Sequence, residues 1–156
     1  MIKINVPGWK TLQLNTIVFD YNGTLAIDGI ISQNLKNRLC KLAEKLSIYV
    51  ITADTFGSAL EQLKGIPVKV EILGSSDQVN AKSKFVDSIG ASRTVTVGNG
   101  ANDVGMHVQA ALAIGVMGHE GIFKNTFSAS DIVVSSPEDA IDLLLKEKRL
   151  IATLRQ

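Results

Sequence analysis

Cysteine is almost missing from this 156-residue chain: Cys40 stands alone, so no internal disulfide can form, and the chain fits a reducing compartment. No sign of charge dominates either. Sixteen lysines and arginines face fifteen aspartates and glutamates, a formal balance of +1, which offers no electrostatic capture of nucleic acid or of an anionic membrane. Long apolar runs are lacking too. The longest, AALAIGVMG at residues 110–118, is broken by glycine and falls well short of the roughly 20 residues a membrane helix needs. The opening MIKINVPGWKTLQLN alternates polar and apolar residues and has no continuous apolar core of a signal peptide. These absences predict a soluble, cytoplasmic protein with no nucleic-acid and no membrane partner.

What is present is globular in balance, with 46% hydrophobic and 20% charged residues. At this length a single domain over residues 1–156 is expected, able to bury about 68–70% of its unfolded surface. Residues 2–6 and 11–14 read as short strands around the turn Pro7-Gly8-Trp9. Residues 17–20 form a short apolar run of the kind found in buried parallel strands, and Asp28-Gly29 marks a small hairpin within residues 25–31. Leu35, Leu39, Leu42 and Leu46 then recur at helical spacing. Beyond them strands at 47–52, 68–73, 94–98, 112–116 and 131–134 alternate with helices at 56–63, 81–89, 103–111 and 137–145, and the tail from Lys146 is helical or frayed. Ser136 and Pro137 suit the N-cap and first turn of the last of these helices. Such alternation predicts an α/β fold: a parallel sheet with helices on both faces.

In open α/β sheets ligands sit at the carboxyl ends of the strands. Asp20 follows IVF, Thr52 follows IYVI, and the loop Asn99–Asp103 follows VTVG, while Lys82 lies near the start of a helix. A carboxylate, a hydroxyl and an ammonium on one rim suit a phosphoryl group: Asp20 as nucleophile, Thr52 on a phosphate oxygen, Lys82 balancing negative charge. Backbone around Gly23 could approach closely enough to cradle that group. Each residue alone has a blander reading as a turn, cap or solvated position. The ordered set is the informative signal.

That set resembles the haloacid dehalogenase (HAD) superfamily of aspartate-nucleophile phosphotransferases over nearly the whole chain after the first hairpin. DYNGT at 20–24 is similar to its first motif, ITADT at 51–55 to its second, Lys82 in KSKFVDSIGA to its third, and VGNGANDVGM at 97–106 to its fourth; the pattern looks closest to the soluble P-type-ATPase-like group. The resemblance implies a capless three-layer Rossmann-like fold whose only flap is the small hairpin, with an N-terminal hairpin beside it. It implies an aspartyl-phosphate on Asp20, Mg²⁺ held by Asp20, the Asn22 carbonyl, Asn99 and Asp103, and a phosphoryl group held by Gly23, Thr52, Ala53, Lys82 and Asn102. Two residues depart from the family. Asn22 replaces the general acid/base aspartate, and an amide cannot trade protons, a function typically worth about 10²–10⁴-fold. Asn99 replaces a metal-binding aspartate and brings no formal charge to a hard cation. Slow turnover and weak Mg²⁺ binding are therefore expected.

Both asparagines precede glycine, a pairing prone to deamidation unless the fold holds the turn away from reactive geometry. No nucleotide-binding insertion fits between residues 25 and 50, which excludes ion pumping, and no cap domain is present, which predicts closure of the site by a homo-oligomer. His107 and His119 lack clustered partners, so structural roles are expected; Trp9 and Cys40 read as packing residues. Three functions compete. The first is a Mg²⁺-dependent phosphatase acting on a phosphorylated small molecule or phosphoprotein. The second is a weakened module that binds such a ligand without turning it over, and the third is a response-regulator-like receiver. The receiver is disfavoured because no acidic pair precedes Asp20.

Overall fold

A computed structural model describes residues 1–53, 57–74 and 76–156. Its centre is a six-stranded, all-parallel sheet in the order β5-β4-β3-β6-β7-β8. The strands are β3 (Thr16–Asp20), β4 (Ser47–Thr52), β5 (Lys69–Ile72), β6 (Thr94–Gly98), β7 (Leu112–Val116) and β8 (Ile132–Val134). A separate antiparallel hairpin joins β1 (Ile2–Asn5) to β2 (Thr11–Leu14) across the Pro7–Trp9 turn. Seven helices are described: α1 (Gln33–Ala43), α2 (Ser58–Gln62), α3 (Gln78–Ser88), α4 (Val104–Gln109), α5 (Lys124–Ala129), α6 (Pro137–Leu145) and α7 (Glu147–Leu154).

The period of two along β3 builds the layers. Ile17 and Phe19 are fully buried in a large core shared with the hairpin, α1, α6 and α7, whereas Val18 faces a second core with Ile51, Val86 of α3 and Met106 of α4. A strand covered on both faces favours apolar side chains, and β3 runs Ile17, Val18, Phe19 between Thr16 at its start and Asp20 at its end.

The helices sit where their caps allow. Ser32 Oγ accepts from the Leu35 N–H at 3.1 Å and starts α1, which buries Leu35, Leu39 and Leu42. Ser136 does the same for α6 through the Asp139 N–H at 3.2 Å, with Pro137 in the first turn. The expected helix at 56–63 is shorter than its pattern, 58–62, and its predicted first residue Phe56 lies outside the described residues, as does Thr55 of the second motif. The helix carrying Lys82 begins earlier than expected, at Gln78, so Lys82 stands in its second turn. The segment around Phe123, unassigned by pattern, supplies α5. The tail is helical, anchored by fully buried Leu150.

Strand order positions the site. From β3 the chain moves outward to β4 and β5, then returns to β6 on the other side of β3 and continues to β7 and β8. The order therefore reverses between β3 and β6, which opens a crevice at their carboxyl ends.

Candidate functional site

Asp20 ends β3 at that crevice, and Lys82 reaches it from α3. Lys82 Nζ lies 2.6 Å from Asp20 Oδ1 and 2.6 Å from Asp103 Oδ1, and the lysine and Asp103 are essentially sealed from solvent. Two carboxylates thus share one ammonium. Burial, reinforced by Asp103 and opposed by Lys82, pushes the Asp20 carboxyl up to about 7. Burial pulls Lys82 down, but Asp20 and then Asp103 more than reverse it and hold the ammonium above its ordinary range.

The turn after β6 is built around Asp103. Its Oδ2 accepts the N–H groups of Asn99 at 3.0 Å and Gly100 at 2.9 Å, so the carboxylate organises the loop while its other oxygen meets Lys82. Gly98 makes this approach possible, because any Cβ there would overlap the Asp103 carboxylate. Thr52 is buried at the end of β4; Asp20 pairs with Ile51 across the sheet, so Thr52 lies one residue further along the same rim, followed by exposed Ala53. Asn102 sits in a 3₁₀ turn, Ala101–Asp103, with its Oδ1 turned toward Gly100.

The turn after β3 closes on itself. The Tyr21 carbonyl accepts from Leu25 and Ala26, both at 2.9 Å, and the Gly23 N–H donates to the Ala26 carbonyl at 3.0 Å. The Gly23 N–H is therefore engaged within the turn. What Gly23 supplies is a φ of +76° and the space a side chain would fill. The flap beyond is a tight hairpin at Asp28-Gly29, both at positive φ, closed by reciprocal Ile27–Ile30 hydrogen bonds and by Tyr21 Oη donating to the Gly29 carbonyl at 3.1 Å.

Asn99 does more than stand in for an aspartate. Its Oδ1 accepts from Thr24 Oγ1 at 3.0 Å, its Nδ2 donates to the Gly121 carbonyl at 3.0 Å, and its own carbonyl accepts from the Phe123 N–H at 2.9 Å. One residue ties the turn after β3, the β6 loop and the loop after β7 together. This amide and the engaged Gly23 and Gly100 N–H groups also oppose deamidation, since each glycine nitrogen that would attack is held in a hydrogen bond.

For Mg²⁺, the Asp20 carboxylate, Asn22 carbonyl and Asn99 amide oxygen are hard oxygen donors. Asp103 has both oxygens committed to Lys82 and to the two backbone donors. Among the described residues no three acidic, imidazole or thiol groups stand together so as to hold a metal ion. The set fits a magnesium ion only when the oxygens of a bound phosphate complete its shell.

Other singled-out residues lie apart from the chemistry. His107 is buried on α4, with its Nδ1 3.0 Å from Thr96 Oγ1, and burial, against Asp103, lowers its titration to about 4. His119 lines a cleft of about 400 Å³ between the flap, α1 and the start of α6, together with Leu25, Ile27 and Pro137. A wider groove of about 570 Å³ lies at the opposite end of the sheet, among Met1, Asn15, Lys45 and Lys69. Trp9 packs against the large core with Lys10 over its ring, and Cys40 is half-buried on α1. Glu120, in the loop after β7, comes close to Gly23, and no motif marks it in the sequence.

No family model matches the chain. It is 48% identical over 63 residues to uncharacterized protein MJ0073 of Methanocaldococcus jannaschii, an alignment covering 40% of this chain and 68% of that protein. Among solved structures it is similar to the cobalt-bound deoxy-D-mannose-octulosonate 8-phosphate phosphatase (YrbI) of Haemophilus influenzae, with a TM-score of 0.73 at 14% identity, covering 92% of this chain and 94% of that one. It is also similar to the 3-deoxy-D-manno-octulosonate 8-phosphate phosphatase of Moraxella catarrhalis in complex with magnesium, phosphate and the KDO molecule, with a TM-score of 0.66 at 19% identity and coverage of 91% and 94%. The fold is the capless, Rossmann-like HAD type. No helix among the described residues is long and apolar enough to cross a membrane.

Proposed function

Taking as premise that this chain belongs to the family of MJ0073 and has the HAD fold, we propose that it is a slow phosphomonoester hydrolase or phosphotransferase, acting in the cytoplasm, with Asp20 as nucleophile. The observation that carries this reading is the convergence of Lys82 on Asp20 and Asp103, three positions distant in sequence and joined at the crevice where the strand order reverses. A lone acid–lysine pair would be a structural contact; two carboxylates and one ammonium at a ligand rim suit an anion in transfer.

In the first step an ionised Asp20 oxygen attacks phosphorus, the new O–P bond forms, and the ester O–P bond breaks. Lys82 offsets the charge that gathers, while Thr52 and Asn102 hold phosphoryl oxygens. A magnesium ion, held by Asp20, the Asn22 carbonyl and Asn99 together with the phosphate, would supply charge neutralisation. Asn22 cannot protonate the departing alcohol, so leaving groups of low basicity should react best. Kinship with the P-type-ATPase-like group rests on the spelling of the motifs.

The test is Mg²⁺-dependent hydrolysis of para-nitrophenyl phosphate. Asp20→Asn should abolish it, and Asn22→Asp should raise it, by up to about 10²–10⁴-fold. Unchanged hydrolysis in Asp20→Asn would remove the nucleophile assignment. The two asparagines favour one second reading, a module that holds a phosphorylated ligand. Absence of turnover in wild type and Asn22→Asp alike, with orthovanadate still binding in an Asp20-dependent way, would support it.

A further inference from the structure

The two asparagines leave the rim short of a proton acceptor, yet a carboxylate does stand at the nucleophile turn. Glu120, in the loop after β7, lies so close to Gly23 that a methyl group added to that glycine would overlap Glu120 Oε2, while also coming within 3.0 Å of Asn99 Nδ2. Gly23 is three residues from Asp20 and next to Asn22, where the missing acid/base would be. The loop is tied down at both ends. Asn99 Nδ2 holds the Gly121 carbonyl and the Asn99 carbonyl holds the Phe123 N–H, while on the near side Gly118 packs against the Gly23 carbonyl, which an added Cβ would approach to 3.3 Å.

The first of these ties needs an amide. An aspartate at position 99 has no N–H to give Gly121, and it would set a second negative charge beside Glu120. Asn99 and Glu120 therefore belong together: one gives up a charge and holds the loop, the other carries a charge to the turn. Glu120 is exposed, which lets it return a proton to bulk water.

Resting on the reading of Asp20 as nucleophile, we propose that Glu120 is the general base that breaks down the aspartyl-phosphate, replacing the aspartate lost at position 22. Water attacks the phosphorus and passes a proton to the Glu120 carboxylate. The new O–P bond forms as the bond from Asp20 oxygen to phosphorus breaks, which releases inorganic phosphate and restores the Asp20 carboxylate. Glu120 then gives its proton to solvent. The first step needs no such base, so the two half-reactions should respond differently to its loss.

The experiment loads the protein with para-nitrophenyl phosphate, removes the substrate, and follows phosphate on Asp20 by mass spectrometry after an acid quench. In Glu120→Gln the aspartyl-phosphate should form at the wild-type rate and persist about 10²–10⁴-fold longer. Adding Asn22→Asp to that variant should shorten its lifetime again, and Glu120→Asp should fall between. A lifetime in Glu120→Gln within twofold of wild type overturns the proposal. So does a matching loss of formation and breakdown, which would mean that Glu120 only shapes the turn. Absence of phosphate on Asp20 in every variant, with hydrolysis persisting in Asp20→Asn, would instead remove the nucleophile and Glu120 with it.

Discussion

At the scale of single residues, the ammonium of Lys82 shared by two carboxylates sets the electrostatics of the site. When Asp20 is ionised, Asp20, Asp103 and Lys82 carry one net negative charge in a largely buried space; burial, with Asp103 beside it, raises the Asp20 carboxyl to about 7. An acid that ionises near 4 when unfolded but near 7 when folded contributes stability below about pH 4 that is lost as pH rises to about 7. Asp20→Asn removes the surplus charge and leaves Lys82 paired with Asp103. Its melting temperature should exceed that of wild type by at least about 3 °C at pH 8 and by less at pH 5, a difference that calorimetry at the two pH values reads directly. Asn99→Asp works the other way: it deprives the Gly121 carbonyl of its donor and adds a charge near Glu120. A destabilisation of about 1–3 kcal/mol by urea unfolding is expected. The charged members of the site were legible in the sequence because motif order exposes them. Glu120 and the amide tie of Asn99 were not, since both depend on which loop lies over which turn, a matter of strand order that spacing does not encode.

At the scale of elements, caps and turns were the legible parts. Ser136-Pro137 marked the start of α6 to the residue, and Asp28-Gly29 marked the flap through the positive φ that both residues adopt. Ser136→Ala removes the acceptor of the Asp139 N–H and should cost about 1 kcal/mol, measured by chemical denaturation. Boundaries set by tertiary contact were harder to read. The predicted helix at 103–111 splits into a 3₁₀ turn and α4, because Asp103 folds back onto the N–H groups of Asn99 and Gly100 in place of continuing a helix. The helical leucine pattern runs on to Leu46, yet α1 ends at Ala43, and Leu46 is buried in the turn that leads into β4. α5 is six residues long and mostly polar, too short to show a period.

At the scale of the whole molecule, the alternation of strand and helix was enough to forecast a parallel sheet between two helical layers. It was silent on the part played by the first hairpin. Ile2, Ile4, Val6, Leu12 and Leu14 are all buried in the same core as α1, α6 and α7, so β1 and β2 form a wall of that core. A chain lacking residues 1–14 should lose its cooperative thermal transition, since deleting several buried aliphatic side chains at about 2–5 kcal/mol each exceeds the stability of an ordinary domain. The placement of β3 has a last implication. Flanked by β4 and β6 and covered above and below, it is the segment least able to fray. The carboxylate at its tip is thus mounted on a rigid beam, and on the proposed reading of Asp20 as nucleophile, substrate would be admitted by movement of the surrounding loops while Asp20 holds still.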